Sequence, residues 1–145
     1  MSGPAVRPAR PEDAAAIAAI AAVRRFAAAW SKAALEAEPS RPDAICLVVA
    51  DAEVRGYALA RVVYDECRLL DLAAREDAKG WGRALLQALV AAASRRGCRR
   101  LTWEVSAANT RALSFYARAG AAVVGRRPKF YNDGSDAVLM DLTLP

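Results

Sequence analysis

The chain of 145 residues has no histidine and only three cysteines, Cys46, Cys67 and Cys98. The cysteines are odd in number, far apart and without a CxxC pair, so neither a disulfide framework nor a zinc site is indicated, and no metal is expected. They read as buried free thiols. Long apolar runs are missing too. Alanine-rich stretches lift the hydrophobic fraction to 55%, yet no segment approaches the roughly 20 uninterrupted apolar residues of a membrane span. The opening Met1-Ser2-Gly3-Pro4-Ala5-Val6-Arg7 lacks the apolar segment of a signal peptide, so a cytoplasmic protein with no membrane partner is expected. There is also no long block of one charge: the net +5 is carried by arginines scattered among alanines. Arg95, Arg96, Arg99 and Arg100 do gather around Gly97, but cations in a last helical turn with glycine as the left-handed stop make a helix terminus. Without interleaved aromatics this cluster does not read as a nucleic-acid patch, although the positive charge suits a phosphorylated cofactor or an acidic partner.

What is present centres on one stretch, Asp77-Ala78-Lys79-Gly80-Trp81-Gly82-Arg83-Ala84-Leu85-Leu86. Two glycines separated by one residue let the backbone turn tightly and bring N–H groups close to an anion. The helix that follows adds its positive dipole end. Glycines also serve ordinary strand-to-helix turns, so the neighbours must decide.

The length is that of one domain, residues 1–145. Pro4 to Arg10 reads as a strand, Pro11-Glu12-Asp13 opens a helix with Ile17, Ile20 and Val23 or Arg24 on its buried stripe, and a second short helix begins at Trp30. Glu38 to Asp43, with two prolines, is expected to be a loop. Ala44–Ala50, Val54–Tyr64 and Cys67–Ala74 form an antiparallel meander. From Lys79 to Arg96, Leu85, Leu86, Leu89 and Ala92 or Ala93 recur at helical spacing. Arg99–Ser106 returns to strand. Asn109–Ala119 is helical through Ala112, Phe115, Tyr116 and Ala119, with Gly120 as its stop. Ala121–Tyr131 and Asp136–Leu144 make a final hairpin about residues 132–135. The result is an α+β fold, a single mixed, mostly antiparallel sheet of about seven strands flanked by about four helices.

This order, with the Gly80-Trp81-Gly82 loop after the fourth strand, resembles the GCN5-related N-acetyltransferase (GNAT) superfamily, whose loop binds the pyrophosphate of acetyl-CoA. Asp77 and Ala78 stand where that loop usually carries Gln or Arg and then Gly. Lys79 and Arg83 offset the aspartate, and the essential donors are backbone N–H groups. The second half is similar to the ribosomal-protein alanine N-acetyltransferases, the RimI-like group, through Trp103-Glu104-Val105, Asn109, Ala112-Leu113-Ser114-Phe115-Tyr116, Gly120-Ala121, Arg126-Arg127, Phe130-Tyr131, Asp133-Gly134 and Asp136 to Met140. Trp30-Ser31 and Asp65-Glu66 fit as well, while Ala29 replaces a proline of that group.

The resemblance implies acetyl-CoA as cofactor and direct acetyl transfer to a primary amine. The acceptor it points to is the N-terminal α-amine of a ribosomal protein. The alternatives are a lysine, a small-molecule amine, or a non-catalytic acyl-CoA sensor. An α-amine, with a pKa of about 8, loses its proton far more readily than a lysine at about 10.4. Glu104 aligns with the group's general base, against a plain reading as a solvated or ion-paired strand carboxylate. Tyr116 aligns with the general acid beside the cofactor sulfur, where a phenol of pKa about 10 faces a thiolate of about 8.5, although its place on an apolar stripe would serve the core equally. Asn109 reads as a helix cap, and by resemblance reaches the pantetheine arm. By the same resemblance, residues 78–83 cradle the pyrophosphate, with Asp77 counted among the cofactor-binding residues, and Trp81 packs under the helix. The span from Asp65 to Gly80 is two residues shorter than the group's pattern. This leaves two registers for the fourth strand: either Leu70-Asp71-Leu72 or Leu72-Ala73-Ala74 lies along the cofactor. Asp71 is read as a hydrogen-bonded strand aspartate, with a second carboxylate near the acceptor as the alternative. Trp30, Phe130 and Tyr131 are expected to shape the acceptor groove, edge-strand packing being the alternative for the last two.

Overall fold

The computed structural model describes residues 3–145. Its strands are β1 (Ala5–Pro8), β2 (Ala44–Ala50), β3 (Val54–Val63), β4 (Glu66–Ala74), β5 (Arg100–Ser106), β6 (Ala122–Arg127) and β7 (Ala137–Thr143). Its helices are α1 (Ala14–Val23), α2 (Lys32–Ala37), α3 (Trp81–Arg95) and α4 (Thr110–Arg118). They form one seven-stranded sheet in the order β1-β2-β3-β4-β5-β7-β6, antiparallel throughout except where β4 runs parallel to β5.

The alternation along β2 shows how the sheet divides the core. Ile45, Leu47 and Val49 point to the face covered by α3, while Cys46 and Val48 point to the face covered by α1 and α2. On the first face Leu85, Leu86, Leu89 and Ala93 of α3 and Tyr116 of α4 complete one buried cluster; on the second, Ile17, Ile20 and Leu35 pack on Tyr57 and Leu59. The first buried stripe thus ends at Ile20, because Val23 lies 76% exposed at the end of α1. Gly56 is where α3 presses closest: a Cβ there would meet the carbonyl oxygen of Ala73 at 2.9 Å and Leu85 Cδ1 at 3.2 Å.

Two local readings change. Glu38–Ser40 is a 3-10 turn, held because the buried Glu38 carboxylate accepts both Nε and Nη2 of Arg61 at 2.8 Å. β6 stops at Arg127, so Phe130 and Tyr131 lie in the connecting loop. Pro128 cannot donate to the ladder and Lys129 turns to φ 49°, which ends pairing with β7. The three cysteines are free and buried, as their spacing suggests.

Candidate active site

The parallel pair is short. β4 and β5 are in register only at Glu66–Arg100, Cys67–Leu101 and Arg68–Thr102. Beyond it, Trp103–Ser106 continues on β7 while Leu69–Ala74 keeps only β3, so the two strands part and leave backbone N–H and C=O groups of β4 unpaired on that side. A bulge sits at this fork. Leu59 pairs with Asp71 and Ala60 with Leu69, which leaves Leu70 as the extra residue. The bulge also resets the alternation: Leu69 and Leu72 face the α3 side, whereas Asp71 and Ala73 face Tyr57 on the other. Leu70 is exposed and Ala74 half-buried.

The loop after β4 ends in two left-handed residues, Ala78 at φ 61° and Gly80 at φ 79°, and Gly80 caps α3 without any side-chain hydrogen bond. The first helical bond runs from the Ala84 N–H to the Gly80 carbonyl at 3.0 Å, so the N–H groups of Trp81, Gly82 and Arg83 precede the helical ladder. A Cβ on Gly82 would make only ordinary contacts, 3.7 Å to Phe115 Cζ and 3.8 Å to Leu72 Cδ2. The protein's own packing therefore does not demand glycine at this point, and the absence of a Cβ leaves the backbone open to close approach. Those contacts also bring β4, α3 and α4 together at one spot. Trp81 packs against the core, while Lys79 and Arg83 are exposed. Asp77 is paired with Arg24 and Arg111.

On β5, Leu101, Trp103 and Val105 face the α3 side, so the alternating Glu104 faces the other. Its carboxylate lies 3.5 Å from Arg127 Nη2 and 4.0 Å from Arg68 Nη2, which makes it an ion-paired strand residue, still 21% exposed. Tyr116 lies on the opposite face, its ring 4.5 Å from that of Trp103 and 5.1 Å from that of Phe115. Burial, with a smaller contribution from the Asp71 charge, pushes its phenol well above the ordinary tyrosine range. It therefore stays protonated and is a weaker acid than an unperturbed phenol. Burial, then the charge of Glu104, raises the Tyr131 phenol above its ordinary value as well. Phe130 stands edge-on to Tyr131 at 5.1 Å and 5.4 Å from the Arg127 guanidinium. Glu104, Arg127, Phe130 and Tyr131 are thus one cluster.

Trp30 is turned inward against the α1–α2 core, with its indole N–H buried and unpartnered. Asn109 caps α4: its Oδ1 accepts the Ala112 N–H at 3.2 Å. The ion pairs of Arg24 and Arg111 with Asp77, and of Arg68 and Arg127 with Glu104, are not legible in the sequence, since no spacing rule marks an arginine that pairs across the fold.

A match to the acetyltransferase (GNAT) family model extends over residues 15–121. The chain belongs to the GNAT family of acetyltransferases. Over 99 residues, 65% of this chain and 67% of the relative, it is 33% identical to the [ribosomal protein bS18]-alanine N-acetyltransferase of Escherichia coli K12. The crystal structure of the ribosomal-protein-S18-alanine N-acetyltransferase from Escherichia coli superposes with a TM-score of 0.87 at 26% identity, covering 98% of this chain and 94% of that one. A Salmonella typhimurium structure solved with its cofactor acetyl-CoA shares the fold, with a TM-score of 0.85 at 20% identity, covering 99% and 95% of the two chains. GNAT acetyltransferases use acetyl-CoA, and the open first turn of α3, the Gly82 clearance and the unpaired edge of β4 fit that cofactor here.

Proposed function

We propose that this acetyltransferase modifies the N-terminal α-amine of a protein, with a ribosomal protein as the preferred acceptor. The observation that carries this reading is the placement of Glu104 and Tyr116 on opposite faces of β5, beside the fork where β4 departs. The similarity to the Escherichia coli enzyme, whose name states that activity on bS18, supports the choice of acceptor.

Acetyl-CoA, when bound, supplies an acetyl group activated as a thioester. Residues 78–83 and Asn109 hold its phosphates and pantetheine, and the free edge of β4 at Leu70, Leu72 and Ala74 aligns its amides. Leu72, common to both registers, is the β4 residue that comes within 3.8 Å of a Cβ placed on Gly82, which supports its place along the cofactor arm. Glu104 takes a proton from the α-ammonium, directly or through water; the neutral amine then attacks the thioester carbonyl, the C–N bond forms, the C–S bond breaks, and the second amine proton passes to the departing thiolate. The Tyr116 hydroxyl donates a hydrogen bond to the leaving thiolate; its raised pKa makes stabilisation by that bond the larger part of its role. Phe130, Tyr131 and the loop carrying Trp30 border the acceptor, and Arg68 and Arg127 hold Glu104 in place.

The test is a panel of peptides bearing the same sequence with free or blocked N-termini and with or without an internal lysine, analysed by mass spectrometry. Acetylation of free N-termini is the expected result. Acetylation confined to the internal lysine removes the N-terminal reading, and cofactor binding with no thiol release on any amine favours a sensor.

A further inference from the structure

The loop that leads into α3 carries an acid at a place built for anions. Asp77 Oδ1 lies 2.7 Å from Arg24 Nη2 and 3.4 Å from Arg111 Nε. Arg24 caps the C-terminal end of α1, and Arg111 lies in the first turn of α4, so three elements meet on one carboxylate. Side chains this open to water, 32% for Arg24, 40% for Asp77 and 67% for Arg111, gain little folding stability from pairing. Their positions are more telling. A cation in the first turn of a helix opposes the helix dipole, whereas a carboxylate beside an anion-binding loop is favoured there until a phosphate arrives and repels it. Arg111 is unfavourable where it stands without a counter-charge, and Asp77 supplies that charge best while the anion site holds no other anion.

We propose that Asp77 is a stand-in for phosphate: it holds Arg24 and Arg111 over the loop in the free protein and yields both to the diphosphate of acetyl-CoA. The proposal rests on the assignment of residues 78–83 as the cofactor cradle. It adds two cation donors from α1 and α4 to the backbone N–H groups, and turns an acid inside an anion site into an internal competitor. Arg24 and Arg111 are then cofactor-binding residues. Asp77 is a positioning residue, acting through them.

Calorimetric titration of CoA and of dephospho-CoA, which keeps the diphosphate but lacks the 3′-phosphate, tests this with the full chain. Arg24→Gln and Arg111→Gln are each expected to raise Kd for both ligands about five- to tenfold, and Asp77→Asn to lower it about two- to fivefold. Arg95→Gln, at the far end of α3, controls for net charge and leaves Kd within about twofold. Unchanged or weaker binding by Asp77→Asn overturns the proposal, and because the expected change is a gain, damage to the fold does not imitate it. Arginine effects seen with CoA but not dephospho-CoA move the contact to the 3′-phosphate and also overturn it, as does an Arg95→Gln effect of equal size. Failure of both ligands to bind the wild-type protein removes the cradle itself. Normal binding and N-terminal acetylation with unaffected arginine variants removes only this proposal.

Discussion

Tyr57 donates its phenolic hydrogen to Asp71 Oδ2 at 2.6 Å, and the backbone N–H of Ala28 donates to the same oxygen at 3.3 Å. The aspartate thereby ties β3 and β4 to the segment between α1 and α2. Burial outweighs these hydrogen bonds and pushes the Asp71 carboxyl from 3.8 up to about 6. Since the folded state holds this proton more tightly than the unfolded chain, the stabilisation is full below pH 3.8 and is lost as pH rises through about 6. Asp71→Asn should therefore gain on the wild type between about pH 4 and 7, by up to about 3 kcal/mol. Urea unfolding across that range measures the difference, and a flat difference would show that Asp71 titrates as in the unfolded chain.

Glu104→Gln should lower kcat about 10²- to 10³-fold with little change in the KM for acetyl-CoA. Its partners Arg68 and Arg127 are half exposed, so the lost ion pairs should cost no more than about 1 kcal/mol of stability. Steady-state kinetics together with thermal melting separate the two effects. A variant with normal kcat would exclude Glu104 as the base.

Tyr116→Phe keeps the ring that packs on Trp103 and Phe115 and removes only the hydroxyl. A kcat loss of about 10- to 100-fold is expected, with Kd for CoA unchanged, because the hydrogen bond matters most as the thiolate forms. Equal losses in binding and turnover would make the residue part of the core alone.

Gly56 and Gly82 should respond oppositely to the same change. Gly56→Ala forces a Cβ to within 2.9 Å of a backbone oxygen, and should cost about 1–3 kcal/mol of stability. Gly82→Ala makes only ordinary contacts within the protein, so its melting temperature should hold while CoA binding weakens. Calorimetry on both variants decides, and normal CoA affinity in Gly82→Ala would show that the cofactor backbone passes elsewhere.

Burial pushes the thiols of Cys46 and Cys67 up to about 12 and raises that of Cys98 as well. All three should resist alkylation in the native protein and react once it is unfolded, with turnover unaffected by brief iodoacetamide treatment. Rapid native labelling coupled to loss of turnover would contradict direct transfer.

The element order was legible because period-2 and period-3.6 apolar patterns survive in the strands and in α3. Gly97 and Gly120 do adopt left-handed φ of 82° and 96° after α3 and α4. The glycine loop and the stop signals are local, and local chemistry can be read from neighbours in sequence. The bulge at Leu70, the fork between β4 and β5 and the Asp77 pairing are not local: each depends on which strand or helix lies alongside. The two registers left open for β4 show the limit, since only the pairing of Asp71 with Leu59 fixes which side chains face α3. The sequence pattern alone carries the strand through Phe130 and Tyr131, because the effect of Pro128 and Lys129 on the ladder appears only once β7 is beside them.

The single parallel seam of the sheet has a topological consequence. Where β4 and β5 separate, the sheet has a slot through it, with Tyr116 on one side and Glu104 on the other. A donor and an acceptor that meet in such a slot enter by different doors. Under the roles proposed for Glu104 and Tyr116, neither has to leave for the other to arrive, and order of addition is expected to follow affinity, not obstruction.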